Sequence, residues 1–355
     1  MRITKLPTAN NEYEEVASCL DGDYRGFIAI HSTVLGPAVG GTRFWSYPDD
    51  DAAVKDLLRL ARGMTYKNAL ARVPFGGGKS IVLRPDRAVD REKIFRVHGR
   101  FVESLGGRYI TAEDVGTNPD DMAIVRRETK HVAGLLGMSG DPSPFTARGV
   151  FRALQAAAKH RWGSETLLGR TVAVQGCGNV GYHLASNLHE AGARLIVSDV
   201  DPSKVERLVK EFGAAAVPVD EIYGSAADVF APCALGGIIN DETIPQFRVE
   251  IIAGGANNQL LEERHGDELM RRGILYVPDY AANAGGVING CRELLGWEAE
   301  QSLKKIDEIY ETVVDILMIA ARAGIPTYRA ADRLAERRLK NRKLALKNPD
   351  QEGAE

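Results

Sequence analysis

The sequence predicts an α/β protein of two domains, the second a doubly wound parallel sheet. Three observations carry this. At 355 residues the chain is longer than one compact core usually serves. Strand-like and helical runs alternate through most of it. Finally, Thr171-Val-Ala-Val-Gln175 leads into Gly176-Cys177-Gly178-Asn179-Val180-Gly181, a helical pattern runs on to about Glu190, and Arg194-Leu-Ile-Val-Ser198 ends at Asp199. Strand, G-x-G-x-x-G, helix, strand and acidic residue inside one βαβ unit make the Rossmann-type pattern. Its glycines let a pyrophosphate approach the backbone at the helix N-terminus, so Gly176, Cys177, Gly178, Asn179, Val180 and Gly181 are candidate cofactor contacts. Asp199 would accept from ribose hydroxyls and repel a 2′-phosphate, which favours NAD over NADP. A βα turn with no nucleotide is the alternative, and the full context weighs against it.

Composition sets the class. With 44% hydrophobic and 26% charged residues the chain reads as an ordinary soluble globular protein, and a net charge of −3 gives no basic field for nucleic acid. Cys19, Cys177, Cys233 and Cys291 are far apart and form no C-x-x-C, so no zinc site is expected and the compartment reads as reducing. The opening residues lack the apolar core of an export signal and no apolar run is long enough to span a membrane. The expected location is therefore the cytoplasm, with neither membrane nor nucleic acid as partner.

In the first third, Phe27–His31 is a strand candidate, followed by Leu35-Gly-Pro-Ala-Val39-Gly40-Gly41-Thr-Arg43. The paired glycines could offer N–H groups to an anion or simply bend the chain between strands. Asp49-Asp50-Asp51 marks a helix start, and Val54, Leu57, Leu58, Ala61, Met64 and Thr65 recur at helical spacing as its buried stripe. Lys67, three residues after Met64, sits at the edge of that stripe. Gly76-Gly77-Gly78-Lys79 follows, read as a tight loop where backbone approaches a ligand or takes positive φ. Two neighbouring, partly buried lysines disfavour each other's charge. One can then hold a carboxylate while the other acts as a base; taken alone, a solvated lysine on a glycine turn is the commoner outcome. The spacing excludes a P-loop, because the first required glycine falls on Val73. Helix 90–105 and strand 108–112 come next, delivering Glu113 and Asp114 at the strand end, where carboxylates serve acid/base work or cap a helix.

The turn-rich stretch 137–144 is the expected boundary: residues 1–139 form one domain, 140–325 the nucleotide-binding one, and a last helix of about 326–355 returns to the first. Strand candidates 228–231, 249–252 and 274–277 end in loops carrying Cys233 and Ala234, Asn257 and Asn258, and Asp279, which should line the crevice at the sheet's C-terminal edge. Residues 301–323 read as one long helix, and 328–346 as another whose charges suit a solvated or subunit-contact face.

At this point several motifs fall in order over nearly the whole chain: Leu35–Arg43, Gly63-Met-Thr-Tyr-Lys-Asn-Ala69, Gly76–Lys79, Thr111-Ala-Glu-Asp-Val-Gly116, Phe230-Ala-Pro-Cys-Ala-Leu-Gly-Gly237 and Ala281-Ala-Asn-Ala-Gly-Gly-Val287. Together they resemble the Glu/Leu/Phe/Val dehydrogenase family, in its leucine/valine/phenylalanine branch. The resemblance implies an NAD-dependent oxidative deamination of an apolar L-amino acid to the 2-oxo acid, ammonia and NADH, by a homo-oligomer whose two domains flank a cleft. It implies that Gly40, Gly41 and Lys67, with Met64 beside them, bind the substrate, that Lys79 is the general base, and that Asp114 exchanges protons with the nitrogen. Thr146 and Asn257 would fix the nicotinamide end, with Cys233 and Ala234 also on the cofactor. Glutamate enzymes of the superfamily carry a lysine before the glycine pair; here Val39 stands there, and Ala112, Val287 and Gly290 complete an apolar pocket. Gly290 replaces a larger residue typical of members selective for small aliphatics, which leaves room for an aromatic ring. A non-catalytic NAD-binding protein on this scaffold is the reading from another class; Lys67, Lys79 and Asp114, all present, weigh against it.

Overall fold

The computed structural model describes residues 1–7, 12–135 and 140–348. The chain forms two compact units, one of Met1–Gly140, Gly290–Gly296 and Ala335–Glu355, the other of Asp141–Asn289 and Trp297–Leu334. The expected boundary stretch 137–144 lies partly outside the described residues.

In the first unit a six-stranded mixed sheet has the order β1-β2-β3-β5-β4-β6, from β1 (Arg2–Lys5), β2 (Glu15–Asp21), β3 (Tyr24–Ser32), β4 (Ala38–Trp45), β5 (Gly76–Leu83) and β6 (Tyr109–Glu113). Strands β4, β5 and β6 run parallel to one another, and β3 is antiparallel to β5. Helix α1 (Asp50–Leu70) begins at Asp49, whose side chain accepts from the Ala52 amide, and follows with Asp50 and Asp51 in the first turn, where carboxylates oppose the dipole. Its Ala53, Leu57 and Ala61 pack with Phe27, Ala29 and Ile81 on one face of the sheet. On the other face α2 (Arg91–Glu103) buries Ile94, Phe95, Phe101 and Val102 against Ile28, Phe44, Val82 and Tyr109, joined by Met122 and Val125 of α3 (Pro119–Arg126). Side chains alternate along a strand. Ile81 therefore places Lys79 and Gly77 on the α1 face, and Val82 places Ser80 and Gly78 on the α2 face.

Here the structure corrects the sequence reading. Gly76, Gly77 and Gly78 are strand residues of β5, not a loop, and none has positive φ. A Cβ on Gly77 would lie 2.0 Å from the Thr65 amide of α1, one on Gly76 1.9 Å from the Ser32 carbonyl, and one on Gly78 2.8 Å from the Tyr109 ring. The glycines admit neighbouring backbone rather than a ligand. Likewise Gly40 and Gly41 lie within β4 and bend nothing. A Cβ on Gly40 would sit 1.8 Å from the Gly78 carbonyl oxygen, and one on Gly41 2.7 Å from the Asp114 Cβ.

The second unit is a parallel six-stranded sheet of order β12-β11-β10-β7-β8-β9. It opens with α4 (Ser143–Trp162) and continues through β7 (Thr171–Gln175), α5 (Asn179–Glu190), β8 (Arg194–Ser198), α6 (Pro202–Phe212), β9 (Ala215–Ala216), β10 (Val229–Pro232), β11 (Ile251–Ile252), α7 (Glu263–Arg271), β12 (Leu275–Tyr276), α8 (Asp279–Ala282) and α9 (Gly285–Leu295), whose residues from Gly290 on belong to the first unit. The predicted long helix over 301–323 is two, α10 (Ala299–Asp307) and α11 (Ile309–Ala323), meeting at Glu308. The last helix is α12 (Thr327–Lys347). Register pairs Gln175 with Ser198 and with Pro232. The loops after β7, β8 and β10 therefore emerge at one edge of the sheet.

The glycine geometry gives a paired stability test. Gly40→Ala, which must push rigid backbone apart, should cost more than about 2 kcal/mol in urea unfolding. Gly63→Ala, in the interior of α1 with nothing within 4 Å of the added Cβ, should stabilise by about 0.5–1 kcal/mol. Similar effects from both would show that the close packing of β4 on β5 is not a constraint.

Candidate active site

The first unit gathers its ionisable groups on the α1 face of the sheet. Lys79 on β5 is 5% exposed, and its Nζ lies 2.8 Å from Asp114 Oδ2 at the end of β6. Burial pushes the Lys79 ammonium below its usual range; Asp114 opposes that push, while Arg43 adds to it. Burial pushes the Asp114 carboxyl up, but Lys79 and Arg43 outweigh it and hold the group below the usual carboxylate range. Arg43 on β4 donates from Nε to the same Asp114 Oδ2 at 3.2 Å and from Nη1 to Asp56 Oδ2 of α1 at 2.8 Å. The sequence reading quoted Arg43 in a motif but gave it no role. Its position two residues beyond Gly41, hence on the same strand face, was the available signal.

Register assembles the rest. Val39 pairs with Gly77 and Gly41 with Ala112, so Val39, Gly41, Ala112 and Asp114 share the face that carries Lys79. Val39 is buried and Ala112 half-buried. Met64 and Lys67, both half-buried, sit on the part of α1 whose Thr65 abuts Gly77. Gly290 belongs to the same unit, with nothing within 4 Å of where its Cβ would be. Val287 lies in the second unit.

Behind this face a buried polar cluster locks the three strands together. Thr42 on β4 brings its hydroxyl within 2.8 Å of Ser80 Oγ on β5 and of His98 Nε2 on α2, and bonds Thr111 on β6. The Tyr24 hydroxyl of β3 lies 2.8 Å from His98 Nδ1. Tyr109 donates to the Gly40 carbonyl at 2.6 Å. Asp114 is fixed through its own backbone: its amide donates to Thr117 Oγ1 at 2.8 Å, a hydroxyl that also reaches the Thr42 carbonyl at 3.0 Å. Ser80 is the neighbour of Lys79, Thr42 of Arg43, and Thr111 lies three before Asp114, so each strand is pinned next to the group it presents. No such network is visible in sequence spacing, because its members come from five separate elements.

In the second unit the three glycines of the nucleotide loop have three different reasons. Gly176 takes φ +94, open to glycine alone at little cost. Gly181 packs against the Gly176 carbonyl, 1.9 Å from where its Cβ would be. Gly178 faces open space, with nothing within 4 Å. It is also the N-cap of α5, and no side chain caps that helix end. Free amides at a helix N-terminus over an open glycine fit a pyrophosphate. Asp199 is already engaged: Oδ2 accepts from the Cys177 amide at 2.6 Å and Oδ1 from the Asp201 amide at 2.9 Å. The loop is thereby tied through Cys177 to the acidic residue that follows β8, and Asn179 and Val180 open α5. Cys233 is joined to β7 through its amide on the Gln175 carbonyl at 2.7 Å, with Ala234 exposed beside it. Thr146 donates its hydroxyl to the Pro142 carbonyl at 3.0 Å, and Asn257 accepts from Asn283 Nδ2 at 2.8 Å. Among the described residues no group of three His, Cys, Asp or Glu side chains could hold a metal ion, and no helix is long and apolar enough to cross a membrane.

His98 supplies a pH test. Full burial pushes its imidazole from the ordinary 6.5 to about 3. As pH falls through that window the unfolded chain takes up a proton that the folded one refuses, so this group lowers the unfolding free energy by up to about 1.4 kcal/mol per pH unit. His98→Gln should be less stable at neutral pH but show a shallower loss between about pH 4 and 6.5. An unchanged slope would mean that His98 titrates in the fold.

Comparison with known proteins gives one result. The family model for the dimerisation domain of Glu/Leu/Phe/Val dehydrogenases matches residues 18–131, and that for glutamate/leucine/phenylalanine/valine dehydrogenase matches 137–345. A leucine dehydrogenase of Geobacillus stearothermophilus is 54% identical over 94% of this chain and 92% of its own. An L-tryptophan dehydrogenase of Nostoc punctiforme is 49% identical over 93% and 94%. The crystal structure of the L-tryptophan dehydrogenase from Nostoc punctiforme superposes with a TM-score of 0.87 at 47% identity, covering 94% of this chain and 97% of that one. With a buried lysine–carboxylate pair in one unit and a glycine-loop parallel sheet in the other, the chain belongs to the Glu/Leu/Phe/Val dehydrogenase family, oxidoreductases that act on the CH–NH2 group of amino acids.

Proposed function

We infer that the protein carries out the NAD-dependent, reversible oxidative deamination of an apolar L-amino acid, releasing the 2-oxo acid and ammonia. The observation that carries this reading is the buried Lys79–Asp114 pair at 2.8 Å. A lysine that burial pushes toward the neutral amine is a base, and a carboxylate held ionised is a proton acceptor. Lys67 and the Gly40–Gly41 backbone, with Met64 beside them, would hold the substrate carboxylate. Ionised Asp114 would take a proton from the α-ammonium. A nicotinamide cofactor, when bound, supplies the hydride acceptor. The neutral Lys79 amine would then withdraw a proton from the water that adds to the substrate imine, and Asp114 would return its proton to the departing nitrogen and, ionised again, take up the hydroxyl proton as the carbonyl forms. On the cofactor side, residues 176–181, Cys233 and Ala234 would serve the phosphates and ribose, and Thr146 and Asn257 the nicotinamide end. Because the two Asp199 oxygens already accept backbone amides, a bound ribose would use their remaining lone pairs, which still oppose a 2′-phosphate.

An apolar side-chain pocket would draw on Val39 and Ala112, on the face of Lys79, and on Gly290 of the same unit; the resemblance adds Val287. An unpaired substrate carboxylate buried against them would cost several kcal/mol, enough to exclude glutamate. The likeness to a leucine dehydrogenase supports leucine as a substrate, and valine and isoleucine bring apolar side chains of similar size. The open space at Gly290, together with the tryptophan dehydrogenase likeness, supports a second reading in which aromatic amino acids are the preferred substrates. The dimerisation-domain match supports a homo-oligomer. The proposed location is the cytoplasm, on the sequence features given above.

The reading is tested by NADH absorbance with a panel of L-amino acids. Turnover with leucine, valine and isoleucine and none with glutamate is expected. Lys79→Ala should lower kcat by at least about 100-fold, whereas Lys67→Ala should chiefly raise KM. NAD binding without turnover of any amino acid, or near-normal kcat in Lys79→Ala, would overturn the assignment. For the cofactor, kcat/KM should favour NAD over NADP and Asp199→Ser should narrow the gap; equal use of both by the unsubstituted protein would remove Asp199 from that role.

A further inference from the structure

Asp114 does not face Lys79 alone. Gly41 and Arg43 leave β4 on the α1 face, and the Arg43 guanidinium spans from Asp114 on β6 to Asp56 on α1. One carboxylate oxygen, Asp114 Oδ2, receives both Lys79 Nζ at 2.8 Å and Arg43 Nε at 3.2 Å. At its other end Arg43 meets Asp56 Oδ2 at 2.8 Å, and that oxygen also accepts from Tyr47 at 2.6 Å while Oδ1 accepts from Arg59 at 2.8 Å. The side chains of Arg43 and Asp56 are 20% and 19% exposed, against 58% for Arg59. Charges therefore alternate in sign from the buried lysine outward to a solvated arginine. In so little solvent the links from Lys79 to Asp56 act at a strength that a surface pair would lack.

We propose that Arg43, with Asp56 as its counter-charge, is a positioning residue that fixes Asp114 against Lys79 and shares the carboxylate oxygen that would otherwise serve the lysine alone. The inference rests on the dehydrogenase reading, in which Lys79 has to act as a free amine. A lysine paired with an undivided carboxylate is held as ammonium. Arg43 occupies part of the same oxygen and repels a second cation, so it favours the neutral amine. Asp56 offsets Arg43 and acts in the opposite sense. Burial, the largest influence on Lys79, lowers its proton affinity; Asp114 raises it, Arg43 lowers it and Asp56 raises it. Other ionisable groups on elements packed against Lys79 include Arg62, Tyr66 and Lys67 on α1, His31 on β3 and Tyr109 and Glu113 on β6. All of them stay unchanged in the substitutions below.

The test is the pH dependence of kcat/KM for L-leucine with saturating NAD, whose acid limb follows deprotonation of the base in the NAD-bound enzyme before leucine binds. In Arg43→Gln, Asp114 belongs to Lys79 alone and the limb should move to higher pH, by on the order of one unit. In Asp56→Asn the Arg43 charge is no longer offset and the limb should move to lower pH, by a smaller amount. Both acids keep partners in Arg43→Gln, since Asp56 retains Tyr47 and Arg59. A merely structural lesion lowers kcat/KM at every pH without moving two limbs in opposite directions. Limbs that stay in place, or move together, overturn this inference while leaving normal turnover by the unsubstituted enzyme untouched. An unsubstituted protein that forms no NADH overturns the dehydrogenase reading and this inference with it.

Discussion

A lysine buried to 5% exposure next to a carboxylate is the constraint on which the first unit depends. Such a pair loses solvation on both sides, and it persists only where geometry and surrounding hydrogen bonds are well fixed. The sheet provides both. Strands β4, β5 and β6 carry Arg43, Lys79 and Asp114 side by side on one face. On the reverse face Thr42 bonds Ser80, Thr111 and His98, so a slip of one residue in any strand would break the cluster and turn the site inside out. The site and its support are the two faces of one pleat.

Glycine makes this arrangement possible by letting elements approach one another rather than by freeing the backbone. Gly40 lies against the Gly78 carbonyl, Gly77 against α1, and Gly41 beside Asp114. Any side chain at these points would separate β4 from β5 or lift α1 off the sheet. The second unit uses glycine differently at its nucleotide loop, where only Gly176 requires a left-handed backbone and only Gly178 opens onto space. The Asp199 contact to the Cys177 amide explains how that loop keeps its form, since the carboxylate substitutes for a bond that the turn itself does not make.

The fold class and much of the candidate site were legible from sequence because they rest on local signals. The 176–181 glycines sit between a strand and a helix, the Asp49–Asp51 run starts α1, and alternation carries Arg43 onto the face of Gly41. The failures have a common physical origin. Gly76–Gly78 reads as a loop because glycine is a poor strand former by itself; only the proximity of Thr65, Ser32 and Tyr109 makes glycine the residue that fits. The division of 301–323 into α10 and α11 at Glu308 left no mark in a pattern that stays helical on both sides. The roles of Asp56, Thr117 and His98 depend on contacts between residues many positions apart, such as the 56 that separate Thr42 from His98. No single-chain periodicity reports them.

The most direct measurement is the proton affinity of Lys79 itself, read by NMR titration of lysines isotopically labelled at the side-chain nitrogen, with the resonance assigned by its loss in Lys79→Arg. A resonance that titrates below the ordinary 10.5 is expected, because burial and Arg43 together outweigh Asp114. A resonance that titrates at or above 10.5 would show Lys79 locked as an ammonium by its partner, and would contradict its role as the base.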